Sequence, residues 1–223
     1  MSLWNDNQTS SDPLEWRSVL NALQHIPVES ARATLGTHGT VAYTDGACIK
    51  NPGGPAGWSV ILVSADYVDG ERIREDAPRI ESYGHIPPSE NTTNNRAEIA
   101  AVLAALSLAP RDQSLTIHSD SEYTIKVAQG VYKMKANSDL WDYYRLLLKK
   151  RTVAPTFVWV RGHAGQEHNE RADELAGLGA FNNDRQAYLR WQASTSPEAR
   201  SGLLSPELAA LRQHVQRLQT YFD

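Results

Sequence analysis

Between residues 40 and 181 the chain alternates short apolar runs of strand length with longer alanine- and leucine-rich runs of helical length. "TVAYTD" (40–45) and "GWSVILVS" (57–64) predict strands joined through the Pro/Gly turn "NPGG". "TTNNRAEIAAVLAALSLAP" (92–110) predicts a helix that Thr93 can cap and Pro110 closes. "SLTIHSD" (114–120) is again a strand, and "SEYTIKVAQG" (121–130) and "SDLWDYYRLLLKKR" (138–151) are helices, the second with Ser138 as cap. "TFVWVRGH" (156–163) then predicts a strand and "NERADELAGLGAF" (169–181) a helix. This alternation implies an α/β fold with a mixed sheet. Residues 65–90 hold seven acidic and three basic side chains. They read mostly as a solvated hairpin and loop, with a candidate third strand near "RIESYGH".

The flanks differ in character. Residues 1–36 form an N-terminal helical extension: Asp12 suits an N-cap, Pro13 the first helical position, and Leu14, Trp16, Leu20 and Leu23 recur at helical spacing until Pro27. Residues 182–223 read as a polar linker followed by an amphipathic helix. Its stripe of Leu204, Leu208, Leu211, Val215, Leu218 and Phe222 spans about two and a half heptads, short of the three to four that define a coiled coil. Docking on its own domain is the first expectation for that helix, with dimerisation or a protein partner as alternatives. The single cysteine, Cys48, excludes an internal disulfide framework and a cysteine-rich zinc site. No apolar run has the length of a membrane span and the first residues lack a signal-peptide pattern, so a cytoplasmic protein without membrane association is expected.

A formal net charge of −4 argues against bulk neutralisation of nucleic-acid phosphates. Four carboxylates nevertheless occupy conspicuous places. Asp45 and Asp120 end apolar strands, Glu98 sits near the start of the alanine-rich helix on its inward side, and Asp173 lies early in the "NERADELA" helix. Taken singly, each has an ordinary explanation as a cap or a dipole partner. If neighbouring parallel strands carry Asp45 and Asp120, both emerge at the C-terminal sheet edge, where open α/β sheets place their sites. Carboxylates gathered there would repel one another unless cations neutralise them. Hard oxygen donors without imidazole or thiolate point to Mg²⁺, with Mn²⁺ as a substitute. Two such ions about 3.5–4 Å apart make a clamp for phosphoryl chemistry.

The blocks "YTDGACIKNPGGPAGW", "TTNNRAEIAAVLAAL", "HSDSEYTIK" and "WVRGHAGQEHNERADELA" resemble, in order, the signature blocks of the type 1 ribonuclease H family, over residues 37–181. The resemblance implies a ribonuclease H-like fold, a five-stranded mixed sheet with helices on both faces. It implies cleavage of the RNA strand of an RNA/DNA hybrid, leaving 5′-phosphate and 3′-hydroxyl ends. By position it makes Asp45, Glu98, Asp120 and Asp173 the metal ligands and His163 the histidine that handles a proton. Asn51, Asn94 and Asn95 match asparagines that reach the hybrid's minor groove, and Thr93 matches a threonine at a DNA phosphate. His168 and Glu170 share the His163 loop without an assigned role.

Three departures from the family stand out. The segment between Asp120 and Trp141 lacks the extra helix and basic protrusion of longer members, keeping Lys126, Lys133 and Lys135. Glu122 stands where several relatives carry a groove-contacting glutamine. Residues 1–36 contain two basic side chains, unlike the basic hybrid-binding module of some relatives. These departures imply modest affinity for the hybrid substrate. Two other functions share the scaffold: DNA cleavage or strand transfer, and hybrid binding without catalysis. The "TTNNRAE" and "GHAGQEHNERAD" blocks favour the ribonuclease branch over the first, and the complete carboxylate set favours an enzyme over the second.

Overall fold

The computed structural model describes residues 28–70, 72–162 and 166–195. Helix α1 (Val28–Leu35) leads into β1 (Thr40–Cys48), β2 (Ala56–Ser64), a short hairpin of β3 (Val68–Asp69) and β4 (Arg72–Ile73), and β5 (Arg79–Ile86). Next come α2 (Asn94–Leu108), β6 (Leu115–Ser119), α3 (Glu122–Ala128), α4 (Ser138–Lys149), β7 (Thr156–Trp159), α5 (Glu167–Ala180) and α6 (Arg185–Thr195). Five strands form one mixed sheet in the order β5-β2-β1-β6-β7. The β5-β2-β1 half is antiparallel, while β1-β6-β7 is parallel. Parallel neighbours need crossovers, and α2 and then the α3–α4 segment supply them.

Helices cover both faces, as the resemblance implies. On one, α1, α2 and α4 pack Leu35, Leu103 and Leu140 against Leu62 and Ile117. On the other, Ala172 and Leu175 of α5 meet Val41, Tyr43, Ile61 and Val63. The alternation of β1 side chains between these two clusters is the two-residue period of a strand covered on both sides. Helix α5 lies directly on β2. A Cβ at Gly57 would stand 2.1 Å from the Ala176 carbonyl oxygen, so only glycine permits this approach. Two residues along β2, the Ser59 hydroxyl donates to the Ala172 carbonyl at 2.6 Å, which sets where α5 stands along the strand.

Several elements differ from the sequence expectation. Strand β1 does not end at Asp45. Its antiparallel ladder with β2 continues to Cys48↔Ala56, whereas the parallel ladder with β6 stops at Tyr43↔His118. Asp45 therefore stands where one neighbour departs and the other remains. Strand β7 ends at Trp159, opposite Ser119, because β6 offers no further partner. As expected, by contrast, the acidic 65–90 region holds a strand at "RIESYGH", the eight-residue β5. Ser138 is not the cap of α4. Asn137 takes that place in the left-handed region at φ 60° without a side-chain cap, and Ser138 is already helical.

The expected linker contains helix α6, held by contacts of Phe181 with Tyr188 and Trp191 and by the Tyr83 hydroxyl donating to Asn183 Oδ1 at 2.9 Å. Upstream of residue 37, Ala31 and Leu35 belong to the core, and the Gln113 side chain donates to the Gly36 carbonyl at 2.9 Å. The predicted helix of residues 12–27 and the 204–222 stripe lie outside the described residues. Among the described residues, no helix is long and apolar enough to cross a membrane.

Leu35 is fully buried. A Leu35→Ala substitution should lower unfolding stability by about 2–5 kcal/mol in urea denaturation, with an unchanged m-value.

Candidate active site

The carboxylates converge because four elements meet at the C-terminal edge of the parallel ladder. Strand β1 carries Asp45 two residues past the last β6 pairing, and Asp120 directly follows β6. Helix α2 starts at a Thr93 cap, whose Oγ1 accepts the Arg96 N–H at 3.3 Å. It then presses on β1 so closely that a Cβ at Gly46 would lie 2.3 Å from the Glu98 nitrogen. Helix α5, seated by its contacts with β2, brings Asp173 to the rim.

Carboxylate oxygens of Asp45, Glu98 and Asp120 lie within 4.8 Å of one another. Asp45 is 6% exposed and Glu98 4%. Asp120 is half-buried, while Asp173 is exposed beside them and shares a hydrogen bond with Asp45. Burial first, then the charges of Asp173 and Asp120, holds the Asp45 carboxyl well above the usual carboxylate range. Burial, then Asp45 and Asp120, does the same to Glu98. The Gly46 N–H opposes both shifts as a hydrogen-bond donor. The Asn94 side chain donates to Glu98 Oε1 at 3.4 Å, and Glu98 Oε2 is buried without a hydrogen-bond partner.

An orphaned carboxylate oxygen inside a cluster of oxygen donors is the environment a hard divalent cation fits. This donor set holds no imidazole or thiolate. The residues present therefore suit Mg²⁺ or Mn²⁺.

The other predicted residues fall around this cluster. Asn51, in the turn after β1, accepts the Asn94 backbone N–H at 3.2 Å, so turn and helix start are joined. Thr93 and Asn94 are half-buried there and Asn95 is exposed. Glu122 opens α3, exposed, and its Oε1 accepts the Tyr132 hydroxyl at 3.5 Å. His163 lies outside the described residues.

Two features escaped sequence reasoning. Arg96 is buried and forms an ion pair with Asp139, with a second bond at 3.0 Å, tying the start of α2 to the start of α4. A charged residue opening a buried alanine run was the available signal. The Tyr43 ring also meets the His118 and His168 rings in tilted contacts. That cluster depends on strand register and leaves no local pattern.

Residues 37–181 match the family model described as RNase H. The chain belongs to the ribonuclease H family. It is 39% identical over 150 residues to the ribonuclease H of Aromatoleum aromaticum, covering 61% of this chain and 87% of that protein. It is 38% identical over 154 residues to the ribonuclease H of Thiobacillus denitrificans, covering 62% and 91%. Among solved structures, RNase H1 of Halobacterium salinarum aligns with a TM-score of 0.50 at 28% identity, over 64% of this chain and 98% of that one. The protein is accordingly a ribonuclease H enzyme.

The raised carboxyls fix a pH dependence. Between the ordinary carboxylate range and the raised values, the folded state binds more protons than the unfolded state. Their stabilising contribution is therefore complete below that range and is lost as pH rises through the raised values. In chelator near neutral pH, Asp45→Asn should melt higher than the wild type. The difference should shrink toward about pH 3, below the ordinary carboxylate range, where the carboxyl is largely protonated in both states, as read by thermal unfolding across pH.

Proposed function

We propose that this ribonuclease H hydrolyses the RNA strand of RNA/DNA hybrids with two Mg²⁺ ions, for which Mn²⁺ substitutes, leaving 5′-phosphate and 3′-hydroxyl ends. The observation that carries the proposal is the close group of Asp45, Glu98 and Asp120, two of them buried, with one Glu98 oxygen unpartnered. When bound, the paired ions supply charge that activates a water and steadies the departing oxygen. Asp45, Glu98 and Asp120 hold them, and Asp173 completes the set from the exposed rim. Asn94 orients Glu98 through its side chain. His163 takes up or returns a proton beside the attacking water or the product.

Substrate recognition rests on neutral groups. The amides of Asn51, Asn94 and Asn95 can each donate and accept, which is what reading a 2′-hydroxyl requires. Thr93 stands at the α2 N-terminus, where free N–H groups favour a DNA phosphate. The chain lacks the basic protrusion of longer family members, so binding should be modest with a shallow salt slope. Glu122 places an anion near the groove and weakens the hold further. One free, half-buried cysteine suits a cytoplasmic setting.

The decisive experiment is cleavage of an end-labelled hybrid in Mg²⁺, beside duplex DNA and duplex RNA. Only the RNA strand of the hybrid should be cut, chelator should stop the reaction, and Asp120→Asn should slow it by on the order of 10²- to 10³-fold or more. Cutting of DNA, or binding without cutting in either metal, would sink the proposal. His163→Ala should reduce kcat by about 10²-fold with little change in KM. Glu122→Gln should lower KM for the hybrid and leave kcat near the wild-type value.

A further inference from the structure

A second cleft, of about 610 Å³, opens beside the carboxylate cluster on the sheet face covered by α5. Its floor is set by strand register. Tyr43 precedes Asp45 by two residues on β1, His118 precedes Asp120 by two on β6, and the two are partners in the parallel ladder. Their ring centroids are 4.8 Å apart, and His168, from the first turn of α5, meets Tyr43 in a tilted contact at 5.3 Å. Tyr43 is buried, while the two imidazoles are half-buried and present part of their surface to the cleft.

The wall is unusual. The Trp159 indole is 53% exposed yet fixed, because its Nε1 donates to the Asp120 carbonyl at 3.1 Å. A large aromatic face held open to solvent is a stacking platform for a base, and such stacking tolerates any base. Two charged side chains, Arg161 and Glu167, both exposed, also line the cleft. Guanidinium is the side chain best matched to a phosphate, and a carboxylate accepts from sugar hydroxyls. The volume lies within the range of small-ligand pockets.

We infer that this cleft binds a ribonucleoside 5′-monophosphate unit, its base against the Trp159 and His168 rings, its phosphate at Arg161 and its ribose hydroxyls at Glu167. The inference rests on the proposed function only for the ligand's source, the 5′-phosphorylated end of cleaved RNA held one step from the carboxylates. Binding itself needs neither metal nor cleavage.

The test titrates the full chain, in chelator, with AMP, dAMP and inorganic phosphate. The Trp159 indole N–H is followed by nuclear magnetic resonance, assigned through Trp159→Phe. AMP should give a saturable shift in the millimolar range or below, with dAMP several-fold weaker. Arg161→Gln should weaken AMP about tenfold, the scale of a lost charge-assisted hydrogen bond. His168→Ala should weaken AMP and dAMP alike, and Glu167→Gln should bring the two to equal affinity. An unshifted indole, shifts centred on Asn94 instead, or inorganic phosphate reproducing the whole response would each overturn the inference. Because no metal or hybrid is present, those failures leave the hydrolysis reading untouched. Conversely, AMP binding by a protein that cuts no hybrid would sink only that reading.

Discussion

The catalytic edge depends on how closely helix α2 lies on strand β1. With hydrogen in place of a side chain at Gly46, the strand backbone touches the backbone of Glu98. That contact carries the Glu98 carboxylate past the sheet surface to the Asp45 carboxylate. Any larger residue there would collide with the helix backbone and force strand or helix to shift. The Thr93 cap fixes where the helix begins, and the Arg96–Asp139 pair anchors its first turn from behind. Because both members of that pair are hydrogen-bonded, a charge can sit inside without the full penalty of an isolated ion.

A site built this way opposes its own fold. Two carboxyls are buried side by side, and the charges of Asp120 and Asp173 add to the strain, so each resists ionisation. The rest of the chain tolerates this because the two cores are extensive and one lies on each face of the sheet. The arrangement favours occupancy by a cation over emptiness, which is the bias a metal-dependent hydrolase needs.

Much of this was legible in the residues. Helix α2 announced itself through its threonine cap and alanine interior, and the carboxylates stood out through their places at strand ends and early in helices. The parts that were not legible share a physical cause: they are decided by neighbours distant in sequence. Strand β1 continues past Asp45 only because β2 still runs beside it. Strand β5 was legible as a candidate at "RIESYGH"; despite its charges it holds its place through an eight-residue ladder with β2 and through the Arg171–Glu81 pair to α5. Helix α6 looked like linker because its composition is polar, and the tyrosine and tryptophan that seat it find Phe181 only after α5 turns back. The Asn137 backbone, left-handed before α4, leaves Ser138 no capping role.

Asn94 links two parts of the molecule that could have been independent. Its backbone N–H is held by Asn51 in the turn, while its side chain holds Glu98 in the cluster. A push on the turn is therefore delivered to a buried carboxylate through one residue, with no flexible segment between to absorb it. Turn and cluster share a single mechanical frame, so neither could be reshaped over generations without carrying the other along.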